Sequence, residues 1–203
     1  MTILNAWVEQ RRVLLAVDTA AHDGHGALHH VSKMMPLVHL NAVVASRGHF
    51  AFLSIMGGQC RLAAADFDGL IAAMPAALED VVKMFRAAVA TKPMPGAGGF
   101  DEQYVVAAGW SASAGRMLAW EFRRGEDGAG FTASRIERPY IAPWCKRFEY
   151  QHPAPSSAPA MAALARDQIK LYEERAPSLR AGGRLIAAHL DRWGMRIEPV
   201  CDL

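Results

Sequence analysis

Two runs, Ile3-Leu4-Asn5-Ala6-Trp7-Val8 and Val13-Leu14-Leu15-Ala16-Val17-Asp18, stand either side of a polar joint at Glu9-Gln10-Arg11. Both are too short for good helices and are rich in Val, Leu, Ile and Trp. They predict a pair of strands over residues 3–8 and 12–18. The second run ends on a charge. A carboxylate placed there, Asp18, is either a turn former or a site residue carried to the strand end.

Reading outward, Thr19 to Ser32 is small, polar and His-rich, which is loop composition. Lys33 then opens a second apolar pair, Met34 to Leu40 and Ala42 to Ser46, with Asn41 at the turn and Arg47-Gly48 closing it. Between 66 and 90 the period changes. Leu70, Ile71, Met74, Leu78, Val81, Val82, Phe85 and Val89 recur at three- and four-residue steps, predicting an amphipathic helix with Asp66 as N-cap. Pro75 is expected to kink or split it, since proline removes a backbone donor and clashes with the preceding turn.

Strands return at Gln103 to Trp110, Arg116 to Arg123 and Phe131 to Ile136. A Pro/Ala/Ser loop from Gln151 to Ala160 leads into a second helix from Met161 to Arg175. Gly182-Gly183 precedes a last hairpin, Arg184 to Leu190 and Met195 to Val200. Runs of strands separated by helices predict an α+β fold in which two antiparallel sheets pack with helices in layers. At 203 residues, with no repeat and no boundary, the whole of 1–203 reads as one domain.

Composition narrows the function classes. With 52% hydrophobic and 21% charged residues the chain is too apolar for disorder. No stretch approaches the roughly 18 uncharged apolar residues of a membrane span, and the N-terminus lacks the basic start of a signal peptide, so a cytoplasmic protein is expected. A net charge of +2 without a basic block gives no reason to expect nucleic acid. Cys60, Cys145 and Cys201 are an odd, widely spaced set without CxxC, which argues against a disulfide framework or a zinc ribbon.

The chemistry-bearing candidates begin at Thr2. A small second residue permits loss of the initiator methionine, and Thr2 would then carry a free α-amine titrating near pH ~8. That amine can take the proton of the Thr2 hydroxyl, which is otherwise a poor nucleophile. Lys33 could favour the anionic hydroxyl, Asp18 could hold the ammonium, and Gly48 could offer a backbone N–H to an oxyanion. Each has a plainer reading: Asp18 and Lys33 as an ion pair, Gly48 as a turn glycine.

Thr2, the strand-end Asp18, Lys33 before Met34-Met35-Pro36-Leu37 and Gly48 after Val43-Val44-Ala45-Ser46-Arg47 together resemble the proteasome β-subunit type of N-terminal-nucleophile (Ntn) hydrolase. With Thr2 first in the mature chain, Asp18 and Gly48 fall in register and Lys33 one position early. The helix from Asp66 and the strand pair around Tyr104 to Arg123 are also similar. The resemblance covers the first half of the chain closely and the second loosely. Ile141-Ala142-Pro143-Trp144-Cys145 stands where the family has Gly-Ser-Gly. The segment before Gly182-Gly183 lacks the family's aspartate, with only Ser178 offering a hydroxyl.

The resemblance implies a four-layer helix–sheet–sheet–helix sandwich and a threonine-type endopeptidase in which Thr2 attacks, its amine is the base, Lys33 and Asp18 set the electrostatics and Gly48 holds the oxyanion. It implies no cofactor and no metal, self-association into a ring or stacked homo-oligomer, peptide or unfolded-protein substrates, and an unfoldase ATPase as a partner. The alternative is a catalytically inactive structural or assembly subunit of the same fold, with Thr2 blocked by a retained Met1. On the hydrolase reading, Ser46 and the 19–32 loop would border the substrate pocket.

Other clusters read more plainly. His22, Asp23, His25, His29 and His30 could bind a divalent cation but lack fixed ligand spacing, so a solvated loop is expected. Cys145 reads as a buried structural thiol. Trp110, Trp120 and Trp193 read as core packing.

Overall fold

The opening strands pair as their apolar runs require. Here β1 (Leu4–Val8) lies antiparallel to β2 (Arg12–Asp18), with Leu4 opposite Val17 and Val8 opposite Val13. A small hairpin follows, β3 (Ala20–His22) with β4 (Leu28–His30), and then β5 (Met34–Leu37) and β6 (Ala42–Arg47). Two helices, α1 (Ala51–Leu62) and α2 (Phe67–Thr91), precede β7 (Tyr104–Ser111), β8 (Arg116–Arg124), β9 (Phe131–Arg135) and β10 (Tyr140–Ala142). The chain ends with α3 (Lys146–Gln151), α4 (Ala158–Arg175), β11 (Arg184–Asp191) and β12 (Gly194–Asp202). The computed structural model describes residues 2–22, 27–49, 51–62, 64–91, 103–124, 130–137, 139–175 and 181–203, without the side chains of 59–62 and 175.

The strands form two five-stranded sheets, ordered β10-β1-β2-β11-β12 and β5-β6-β7-β8-β9, and every pairing is antiparallel. Both faces of the first sheet's central strands are buried, so they read as unbroken apolar runs. Leu4, Ala6, Leu15 and Val17 meet Met34, Val43, Ala45, Val106 and Ala108 of the second sheet. By the alternation of a strand, Ile3, Leu14 and Ala16 point the other way, onto Met161, Ala162 and Ala165 of α4. The second sheet's remaining face, with Val44, Val105, Ala107 and Phe122, carries Phe52 and Met56 of α1 and Phe67, Leu70 and Met74 of α2. Each fully buried Phe or Leu side chain contributes roughly 1.5–3 kcal/mol.

Asp66 caps α2 as its sequence position predicts. Its Oδ1 accepts the Gly69 N–H at 2.7 Å and its carbonyl accepts the Leu70 N–H at 3.0 Å. The expected split at Pro75 does not occur, and one helix runs from Phe67 to Thr91. Buried Phe67, Leu70 and Met74 before the proline and Leu78, Val81, Val82 and Phe85 after it anchor both halves to the same sheet. Their combined burial outweighs the roughly 3 kcal/mol an interior proline costs.

Other expectations are adjusted. The 19–32 segment is not simply a loop, since its arms pair as β3 and β4, although Asp23 to Gly26 lie outside the described residues. The strand from Met34 stops at Leu37, and a single 3-10 turn over Val38–Leu40 leads to Asn41 in the left-handed region at φ 45°. Asparagine tolerates that conformation better than most side chains. Among the described residues no helix is long and apolar enough to cross a membrane.

Candidate active site at the sheet ends

The antiparallel β1–β2 pair puts the beginning of the chain beside the end of β2. There the Asp18 N–H donates to the Ile3 carbonyl at 3.3 Å, and the Ile3 N–H donates to Asp18 Oδ1 at 2.9 Å. Thr2, the next residue back, is buried. Lys33, immediately before β5, reaches from the second sheet to the first, and its Nζ donates to the same Oδ1 at 2.8 Å and to the Ala20 carbonyl at 2.5 Å. Asp18 Oδ2 accepts the Gly182 N–H at 3.1 Å. One carboxylate thus ties together the backbone next to Thr2, the lysine and the segment entering β11.

Both charges of this pair are buried, Asp18 at 0% and Lys33 at 6% side-chain exposure. Removing two ions from water is costly unless their remaining donors and lone pairs are satisfied. Two backbone N–H donors on the carboxylate and a carbonyl on the ammonium supply those partners. Burial still dominates at the lysine, pushing the Lys33 pKa below the usual value of 10.5, with Asp18 partly opposing it. An ammonium so placed stabilises negative charge developing close by far more than an exposed lysine could.

Gly48 lies just past β6, at the Lys33 end of the second sheet, where the Ser46 N–H donates to the Lys33 carbonyl at 3.0 Å. Its φ of +136° suits glycine alone, and a Cβ would come within 2.3 Å of Gln103 Oε1. Gln103 is buried and its Oε1 accepts the His49 N–H at 3.1 Å, fixing the turn that follows Gly48. The structure therefore brings Asp18 and Lys33 into direct contact beside Thr2 and sets Gly48 at the same sheet end.

Further contributors escaped the sequence reading. Gly182 (φ +142°) and Gly183 (φ +75°) bring the chain close to Asp18 and Thr19, and a Cβ on Gly183 would sit 2.8 Å from Thr19 Oγ1 and 2.9 Å from His30 Nδ1. Thr19 Oγ1 accepts the Arg184 N–H at 2.9 Å and lies 3.1 Å from His30 Nδ1. The glycine doublet was the available signal, but a doublet before a strand reads first as a loop. Gln103 carried no signal, because a buried glutamine is recognisable only from the glycine it packs on.

The remaining candidates are dispersed. His22, His29 and His30 lie on β3 and β4, while Asp23 and His25 fall outside the described residues, as does Ser178. Among the described residues no three His, Cys, Asp or Glu side chains are grouped to hold a metal. Cys145 is half-buried rather than buried, with its thiol free. Trp110 and Trp120 pack against the core, but Trp193 is 85% exposed in the β11–β12 turn, with the Arg192 guanidinium 5.0 Å from its ring centre. A hairpin tip has no facing sheet to bury an indole, so the core expectation for Trp193 is corrected.

No family model matches the chain, and no curated protein matches it. Among solved structures it is similar to the Gly-1 mutant of Anbu from Hyphomicrobium sp. strain MC1, with a TM-score of 0.63 and 13% identity over 99% of this chain and 87% of that one. At that identity the likeness shows the fold alone. Membership of the proteasome β-subunit type family, expected from Thr2, Asp18, Lys33 and Gly48, is corrected accordingly: a few residues at matching spacings describe a local geometry, and the chain as a whole matches no family model. What the chain shares with known proteins is a mixed α/β, proteasome-like fold built on antiparallel sheets.

Proposed function

We propose that this protein is an N-terminal threonine hydrolase that cleaves peptide bonds, its sheets and helices stacked in the order helix–sheet–sheet–helix. One observation carries the reading. A fully buried aspartate holds a buried lysine and the Ile3 amide on the same oxygen, directly beside Thr2. A structural ion pair has no need of this position, whereas an N-terminal nucleophile needs a fixed cation there.

Removal of Met1 frees the Thr2 α-amine. The Thr2 Oγ1 attacks the scissile carbonyl carbon and its proton passes to that amine, near neutral in pKa and therefore a competent base. The new C–O bond leaves a tetrahedral oxyanion, for which the Gly48 N–H is the donor at this sheet end and the Lys33 ammonium the nearby positive charge. Collapse breaks the C–N bond, the leaving amine takes the proton, and an ester on Thr2 remains. Water, deprotonated by the same amine, hydrolyses the ester and restores the threonine. None of these steps calls on a cofactor. Assembly into a cytoplasmic homo-oligomer, a ring or a stack fed by an unfoldase ATPase, completes the proposal and would confine the site to unfolded or short peptides.

A second reading, a non-catalytic assembly subunit, is favoured by one observation. Around β10 the chain presents Pro143, whose carbonyl accepts from Gln168 Nε2 at 3.0 Å, and no serine stands between Tyr140 and Cys145 to support a nucleophile. Intact mass of the expressed protein combined with turnover of fluorogenic peptides separates the two. Loss of one methionine with turnover abolished in Thr2→Ala supports the hydrolase. Full retention of Met1 with no turnover supports the subunit.

A further inference from the structure

Arg47 ends β6 on the face that Val43 and Ala45 turn toward the first sheet. It lies opposite Tyr104 on β7, which lies opposite Arg123 on β8, and the two guanidiniums stand 5.3 Å and 5.4 Å from the Tyr104 ring centre. Across the gap, the Tyr140 hydroxyl on β10 donates to Glu121 Oε1 at 2.8 Å. From α4, Tyr172 brings its hydroxyl into the fields of both Arg47 and Asp18. Arg47 thus stands between Tyr104 of the second sheet and Tyr172 of α4, whose hydroxyl also feels the charge of Asp18.

Here a guanidinium lacks a carboxylate and a buried hydroxyl lacks an acceptor for its proton. Arg12, Arg124, Arg135, Arg184 and Arg196 each pair with a carboxylate, whereas half-buried Arg47 has no carboxylate partner among the described residues. The buried Tyr172 hydroxyl lies against the Arg47 guanidinium, and its own proton has no acceptor among the described residues. Leaving a buried hydroxyl proton without an acceptor is unfavourable, and the guanidinium beside it has no carboxylate of its own, so the pair is arranged for one that arrives. A planar fork of N–H donors beside one O–H donor matches the two oxygens of a carboxylate. A dianion fits worse, because Asp18 and Glu121 lie close by.

We infer that Arg47 and Tyr172 form a carboxylate-binding subsite at the mouth of the Thr2 centre, making the substrate an acidic peptide or amide. The catalytic consequence rests on the hydrolase reading above, while binding does not. The carboxylate has two sources, an acidic side chain or a free peptide C-terminus.

The test uses the Thr2→Ala full chain and three probes followed by NMR titration: N-acetylglutamate α-amide, N-acetylglutamine with its free α-carboxylate, and N-acetylglutamine amide with neither. One of the first two binds at least about tenfold more tightly than the third, as one charge-assisted contact predicts, and which one does so names the source. Arg47→Gln removes the preference, and Arg47→Lys, which keeps the charge and folds without losing it, restores part. Equal binding of all three probes, or a preference that survives Arg47→Gln, overturns the subsite. In the Thr2 protein, the kcat/KM ratio for matched Glu and Gln peptides falls toward one in Arg47→Gln. Carboxylate-selective binding without any turnover sustains the subsite and defeats the hydrolase, and turnover without acidic preference does the reverse.

Discussion

Lys33 Nζ and Asp18 Oδ1 are 2.8 Å apart, and the bond between them joins the two sheets at the point where the chain begins. Neither side chain has water to fall back on. Breaking the pair from one side leaves an uncompensated buried charge, a loss of about 3–5 kcal/mol. Asp18→Asn should lower stability by that order in urea titration. Lys33→Met should cost less, because Asp18 keeps the Ile3 and Gly182 amides. The double variant should recover much of the Asp18→Asn loss, and simple additivity of the two would show that the pair is not coupled.

The lowered pKa of Lys33 fixes a sign for the pH dependence. The unfolded lysine titrates near 10.5 and the folded one below it, so between these values the unfolded state binds more protons. Stability assigned to Lys33 therefore rises with pH across that window, is complete above 10.5, and is lost as pH falls through the folded value. Urea midpoints from pH 7 to 11 should climb more in the wild type than in Lys33→Met. Parallel curves would contradict the burial of the ammonium.

Gly48→Ala meets two penalties, a φ of +136° and a Cβ within 2.5 Å of three Gln103 side-chain atoms. Backbone strain alone is of order 1–3 kcal/mol. Adding Gln103→Ala to Gly48→Ala should relieve the clash but not the strain, so the double variant should be more stable than additivity of the two single changes predicts. Chemical denaturation of the four-member cycle reads this directly.

Pro75→Ala restores a backbone donor inside α2, where the helix is continuous. A gain of about 1–3 kcal/mol is expected, less whatever the proline contributes by restricting the unfolded chain. A drop in Tm would mean that the restriction Pro75 places on the unfolded chain outweighs the donor it removes.

Legibility in the sequence followed periodicity. Strands β1, β2, β7, β8 and β11 announce themselves as short apolar runs and the long α2 by its period of 3.6, because each buries at least one whole face. The shorter β10 and α3 did not, since three or six residues are too few for a period to show and both are held by tertiary contacts: β10 by pairing with β1, and α3 by Phe148 packed on Leu164. Helix α1 could have been seen from the spacing of Phe52, Leu53 and Met56, but its glycines dilute the pattern. At the site, Asp18, Lys33 and Gly48 were visible as residue types at strand ends. Gly182, Gln103, Arg47 and Tyr172 were not, because their roles depend on which strands and helices meet at the mouth, and no spacing along the chain records that.

The central claim is a nucleophilic Thr2 served by its own amine and by Lys33, and covalent labelling tests it most directly. A peptide epoxyketone, which needs both the hydroxyl and the free amine of an N-terminal threonine, is incubated with the wild type, Thr2→Ala and Lys33→Ala, and each is read by intact mass and peptide mapping. The account predicts one adduct on Thr2 in the wild type, none in Thr2→Ala, and labelling slowed by at least about a hundredfold in Lys33→Ala, the scale seen when one electrostatic stabiliser is removed from a catalytic site. An unlabelled wild type that has lost Met1, or equal labelling of all three proteins, would contradict it.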